Sequence, residues 1–176
     1  MPRGRCRAGV TAAEEAPMNA PAVQPLLAQH PFAREFQPQQ IERLAAQARA
    51  VTFAPEQVIF REGDECDDFY LIVSGRVALE MVVGSRVLRI QTLGDGDEFG
   101  WSALITGRGK HFQARALTPL TALVFDGSQL LENCRRDPEL GFSLMYRLLG
   151  IVAERLQATR LQLIDTYSPI AARAGA

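Results

Sequence analysis

The chain has 176 residues, 47% of them hydrophobic, and a formal net charge of -1. That length suits one compact domain, and no apolar run is long enough to span a bilayer. A near-neutral balance argues against a domain built mainly to grip nucleic acid, whose phosphates call for a basic surface.

Residues 1–27 are rich in Ala, Pro, Gly and Arg with no sustained period, which predicts a disordered tail. The start also lacks the apolar stretch of a secretory signal, so the cytoplasm is the expected location. A helix is predicted over about residues 38–47. Pro38 suits its first turn, and Ile41, Leu44 and Ala45 share one face.

Between residues 58 and 125 the chain reads as short strands divided by turn signals. Phe69 to Val73 is aromatic and β-branched, and Gly75 interrupts it. Val77, Leu79 and Met81 alternate with their neighbours, and Gly84-Ser85 suits a tight turn. Phe112, Ala114 and Ala116 alternate again before Leu120 to Phe125 closes the series. Parallel strands would need crossover helices, for which there is no room. The expected fold is mainly β with flanking helices, a jelly roll over residues 28–136.

The period then changes. Gly127-Ser128 opens a short helix, and Asp137 suits an N-cap with Pro138 in the first helical position. A long helix is predicted over 137–165, with a flexible tail over 166–176. Phe142, Leu149, Leu156 and Leu163 recur at intervals of seven. Met145, Val152 and Thr159 fill the intervening layers, so the helix carries a heptad seam. Leu144, Leu148 and Ile151 lie off that seam. Two apolar faces on one helix predict packing on the roll with one and a homodimer through the other.

Catalytic signals are poor. There is no nucleophile elbow and no phosphate-cradling P-loop. The two histidines, His30 and His111, form no metal motif, and Cys6, Cys66 and Cys134 form no close pair. No enzyme, cofactor or metal is expected, and the cysteines read as three free thiols. The acidic group of Glu62, Asp64, Glu65, Asp67 and Asp68 has no calcium-loop spacing and reads as a solvated turn shaped by Gly63 and Asp64.

Four anchors, in this order and spacing, carry a family resemblance: Phe60-Arg61-Glu62-Gly63-Asp64; Phe69-Tyr70-Leu71-Ile72-Val73-Ser74-Gly75; Gly94-Asp95-Gly96-Asp97-Glu98-Phe99-Gly100; and Ala114-Arg115-Ala116-Leu117. The chain resembles a cyclic nucleotide-binding domain of the catabolite activator family over about residues 28–165. The resemblance implies a phosphate-binding cassette after Phe99-Gly100, with helix amides and a helix dipole facing an anion. The ligand residues it implies are Phe99, Gly100, Trp101, Ser102, Ala103, Arg108, Lys110 and His111.

Two departures bear on the ligand. The family has a glutamate for the ribose hydroxyl where Trp101 stands, and Trp supplies a donor but no acceptor. It has a phosphate-binding arginine where an ungapped count places Lys110, which keeps the charge and loses the two-pronged geometry. Arg108 is the other cation in reach.

Three readings follow: binding of cyclic AMP or cyclic GMP with altered contacts, sensing of another small anionic ligand, or a ligand-independent dimeric scaffold that works through protein contacts. If the chain signals, it is expected to do so through other chains, with a downstream protein partner reading the change. Only 11 residues follow Asp165, so direct DNA binding by this chain is not expected.

Overall fold

The structure, a computed structural model, describes residues 14–15, 20–105 and 109–173, with side chains over 22–105 and 109–164. Nine strands and five α-helices follow in chain order among these residues. They are β1 (Glu14–Glu15), α1 (Ala20–Gln29), α2 (Pro38–Ala45), β2 (Ala48–Phe53), β3 (Val58–Phe60), β4 (Asp68–Ser74) and β5 (Val77–Val83). Then come β6 (Arg86–Leu93), β7 (Glu98–Phe99), α3 (Ser102–Ile105), β8 (Gln113–Ala116), β9 (Leu120–Asp126), α4 (Gly127–Arg136) and α5 (Pro138–Arg173).

The strands form two antiparallel sheets, ordered β1-β2-β9-β4-β7 and β3-β8-β5-β6. The fold is therefore a jelly roll with flanking helices and a long C-terminal helix. Gly84-Ser85 makes the two-residue turn between β5 and β6, with Val83 opposite Arg86.

The sheets enclose one apolar cluster, and the helices cover the outer face of the first sheet to make a second. Strand β4 serves both. Its alternate residues Tyr70 and Ile72 enter the roll, while Phe69 and Leu71 meet the helices. That double burial explains why Phe69 to Val73 is a continuous apolar run rather than an alternating one. Each large side chain so buried contributes about 1.5–3 kcal/mol relative to exposure.

Local hydrogen bonds set the helix boundaries. The Gln129 N–H donates to Asp126 Oδ1 (3.0 Å) at the start of α4. The Leu140 N–H donates to Asp137 Oδ1 (3.1 Å) at the start of α5, so Asp137 caps as its sequence context predicts.

Helix α5 has 36 residues, a length of about 54 Å at the helical rise. Leu140, Leu144, Leu148 and Ile151 bury themselves against the helix-side cluster. Phe142, Met145, Leu149, Leu156 and Leu163 are exposed, Phe142 to 72% and Leu149 to 67%, and Val152 is half-buried.

Expectations change at both ends of the chain and at Cys66. Helix α1 begins at Ala20, inside the stretch predicted as a disordered tail, and Val23 and Leu27 are fully buried. Burial of that apolar pair, four residues apart, outweighs the cost of Pro25 within the helix. At the other end, α5 runs to Arg173 through most of the predicted flexible tail; residues 1–13, 16–19 and 174–176 lie outside the described residues. Cys66 is disulfide-bonded rather than a free thiol, whereas Cys134 is free.

Candidate functional site

The site is built where β7 ends. Strand β7 pairs with β4, placing Phe99 opposite Tyr70 and Glu98 opposite Leu71. The Phe99 ring is fully buried and stacks on Tyr70, with centroids 4.5 Å apart and planes 6° from parallel. Phe60 packs on the same ring at 6.0 Å. This aromatic layer is the floor on which the following turn rests.

Gly100 makes the turn. Its φ is +79°, and an added Cβ would lie 2.8 Å from the Asp68 carbonyl oxygen and 3.1 Å from the Tyr70 ring. Both conformation and space therefore require glycine. Trp101 and the four-residue helix α3 follow. The Ala103 N–H donates to Gly100 O (3.1 Å) and the Leu104 N–H to Trp101 O (2.9 Å), so both amides are used by the turn itself.

The chain returns through Gly109 and Lys110, which lock onto the earlier Gly63-Asp64 turn. The Gly63 N–H donates to Lys110 O (2.8 Å), and the Lys110 N–H to Asp64 O (3.0 Å). Asp64 Oδ2 accepts from the Arg61 N–H (2.7 Å), giving Asp64 the expected turn-shaping role; Asp68, expected in the same solvated turn, is instead buried at the start of β4. No cluster with metal-ligand geometry occurs among the described residues.

A cavity of about 50 Å³ opens between these segments, lined by Phe60, Leu79, Gly100, Trp101, Ser102, Lys110, His111, Phe112 and Arg155. It has room for a few waters. A nucleotide would need it to open further.

The structure brings Gly100, Trp101, Ser102, Lys110 and His111 of the sequence-derived set together around this cavity. Phe99 lies beneath it in the aromatic core, and Ala103 is buried, its Cβ beside Gly127. Arg108 falls outside the described residues. His111 is exposed at the rim, and Trp101 is half-buried, packing on the helix-side cluster as well as lining the cavity.

Lys110 is only 3% exposed. Its Nζ donates to the backbone oxygens of Asp68 (2.8 Å) and Gly100 (3.1 Å) and sits 4.9 Å from the Phe60 ring centroid. Burial lowers its pKa to about 8, although Asp68 and Asp67 favour the charged form. The ammonium thus clamps the Gly100 turn to the start of β4. Asp68 itself pairs with Arg49 (2.9 Å); desolvation raises its pKa against the opposing pull of Arg49 and Lys110.

Sequence reasoning missed the apolar wall residues Phe60, Leu79 and Phe112 and one charged one, Arg155. It comes from α5 and reaches back to Glu98, where Nη2 donates to the backbone oxygen and, at 3.1 Å, to Oε1. The side chains are 17% and 9% exposed. Desolvation raises the Glu98 pKa and lowers that of Arg155, and the attraction between them opposes both shifts. In the heptad pattern Arg155 precedes seam residue Leu156, a position where a solvated charge is ordinary.

Comparison with known proteins adds a family. A model described as "Cyclic nucleotide-binding domain" matches residues 50–137, 88 of the 176 residues. The "cAMP/cGMP-dependent 3',5'-cAMP/cGMP phosphodiesterase B" of Dictyostelium discoideum is 30% identical over 105 residues, 56% of this chain and 9% of that protein. The "CRP-like cAMP-activated global transcriptional regulator" of Mycobacterium tuberculosis is 26% identical over 141 residues, 80% of this chain and 61% of that protein. The chain therefore spans less than two thirds of either relative. A solved cyclic nucleotide-binding domain from Methylobacillus flagellatus superposes with a TM-score of 0.72 at 19% identity, covering 82% of each chain, and shares the fold.

Proposed function

The chain belongs to the cyclic nucleotide-binding domain family, and from that premise we propose that it is a regulatory domain that senses cyclic AMP or cyclic GMP without catalysing a reaction. The observation that carries this reading is the cavity at the Gly100–Ser102 turn, inside the segment the family model covers. Trp101, Ser102 and His111 line the approach, and Lys110 and Arg155 supply positive charge for an anionic ligand. Arg108 joins them as a proposed contact on the strength of its place in the sequence.

The output runs through α5. Its outer stripe of Phe142, Met145, Leu149, Leu156 and Leu163 is exposed, with Val152 between them, and repeats at the heptad interval that lets a helix pair with a copy of itself. Arg155, on that same helix, lines the cavity, so a ligand that rearranges the cavity changes what α5 touches. A downstream protein partner would read the resulting change between two helix arrangements.

The test is the distance between spin labels at Gln157→Cys on paired α5 helices, with Cys134 replaced by Ser, with and without cyclic AMP or cyclic GMP. A shifted distance distribution supports the reading; identical distributions under saturating ligand would sink it.

The small cavity and the internal commitment of Lys110 favour a second reading, a ligand-independent dimeric scaffold. In either case the proposed compartment is the cytoplasm. Disulfides are rare there, so the bond at Cys66 counts against it; a reduced Cys66 in freshly lysed cells would support the cytoplasm and an oxidised one would contradict it.

A further inference from the structure

We propose that Arg155 is the anion-binding residue of the cavity and that Glu98 is its built-in competitor, an internal counter-ion that a ligand's phosphate must displace. This deepens the cyclic-nucleotide reading and rests on it for the identity of the anion.

Among the described residues two cations line the cavity, Lys110 and Arg155. Lys110 is held by two backbone oxygens, of Asp68 at the start of β4 and of Gly100 in the turn, both fixed parts of the fold. Arg155 is held largely by one side-chain carboxylate and the backbone oxygen of the same residue. A phosphate offers a guanidinium the same planar, two-pronged match that a carboxylate offers, so it can replace Glu98 as partner. Arg155 is the cation whose partner is exchangeable.

Two features favour the exchange. The pair is largely removed from water, and burial disfavours the charged form of each member more than their attraction compensates. When Arg155 turns away, burial and the neighbouring Asp97 favour the neutral form of Glu98 more than Arg147 on α5 favours the charged one. A released Glu98 therefore takes up a proton rather than staying as an uncompensated buried charge.

The consequence is a link between cavity and helix. Glu98 opens β7, which ends at the Gly100 turn, and Arg155 lies beside Leu156 of the exposed stripe. While the ion pair holds, α5 is tied to β7. Once an anion takes Arg155, that tie is released and the helix is held through the ligand instead.

The experiment titrates cyclic AMP, cyclic GMP and inorganic phosphate into the nucleotide-free full chain and into Glu98→Gln, Arg155→Gln, Arg155→Lys and the double variant Glu98→Gln/Arg155→Gln. Circular dichroism checks that each is folded. Glu98→Gln should bind anions about tenfold more tightly, the size expected when one charge-assisted competitor is removed. The double variant should lose that gain, and Arg155→Lys should bind more weakly than the parent. If Arg155→Gln does not fold, the comparison of Glu98→Gln with Arg155→Lys decides the matter.

Nucleotide binding to the parent that is unchanged in Glu98→Gln and Arg155→Lys overturns this inference and leaves the cyclic-nucleotide reading standing. A gain in phosphate binding by Glu98→Gln, lost in the double variant and without nucleotide binding by any form, supports the inference and removes the nucleotide. A gain that survives in the double variant means that Glu98 merely repels anions, and it overturns the role of Arg155. No binding of any anion by any form overturns both.

Discussion

The Nζ of Lys110 lies 2.8 Å from the backbone oxygen of Asp68, so a residue placed in the cassette by sequence count closes the cassette onto β4. The same nitrogen bonds Gly100 O, and the Phe60 ring lies beside it. Charge, hydrogen bonding and aromatic contact all converge on one buried ammonium.

Replacing it should therefore cost stability. Lys110→Met removes two charge-assisted bonds and strips both carbonyl oxygens of this donor, for an expected loss of about 2–4 kcal/mol. Urea unfolding followed by circular dichroism measures it. A loss below about 0.5 kcal/mol, the range of ordinary surface substitutions, would mean that the clamp is not holding the turn.

His30 predicts a pH dependence. It is 4% exposed; Nε2 is 3.0 Å from Ile72 O, and Nδ1 accepts from the Phe32 N–H at 3.1 Å, which assigns the neutral tautomer with its proton on Nε2. Burial lowers its pKa first of all; the Ile72 bond and Asp97 oppose that, and Arg147 adds to it. A folded-state pKa below the ordinary value of 6.5 means that the histidine's contribution is complete above that pH. It is lost as the pH falls through the folded value. Asp68 and Glu98, whose pKa values are raised, act in the opposite direction over the lower part of that range. The stability advantage of the parent over His30→Gln should shrink as the pH is lowered from 7 to 5. An advantage that stays constant or grows would contradict this assignment.

The outer stripe of α5 predicts the assembly. Leu149→Glu with Leu156→Glu places two carboxylates in the centre of the proposed seam, leaving the buried face of Leu140, Leu144, Leu148 and Ile151 intact. Sedimentation should show a dimer for the parent and a folded monomer for the variant. A parent that remains monomeric at micromolar concentration rules out the seam.

Trp101 predicts a change in ligand preference. Trp101→Glu introduces the carboxylate acceptor that the family resemblance places at this position, on the wall of the cavity. Affinity for a cyclic nucleotide should rise, about tenfold for one recovered ribose hydrogen bond. Unchanged affinity, read by calorimetry because the substitution removes the chain's single tryptophan, would mean that the ribose does not reach this wall.

Much of the fold was legible because its causes are local. The Asp137-Pro138 cap and the Gly84-Ser85 turn each need only neighbouring residues, and the strand series follows from short apolar runs between turn signals. Helix α1 was hidden by its Ala-Pro composition; only burial of Val23 and Leu27 against the sheet makes it worthwhile. The site was legible in part. Gly100, Trp101 and Ser102 follow directly from the Phe99-Gly100 motif, whereas the clamp made by Lys110 depends on the distant turn at Gly63-Asp64. Arg155 could not be read at all, because its heptad position is one where charges are normally solvated. Contact between α5 and β7 is what buries it.

Calorimetric titration of the purified, nucleotide-free protein with cyclic AMP and cyclic GMP tests the central claim most directly. Saturable heat with at least one of them is the predicted result. No heat with either, repeated at a second temperature to avoid a vanishing enthalpy, would contradict a cyclic-nucleotide sensor and leave a sensor of another small anionic ligand or a ligand-independent scaffold.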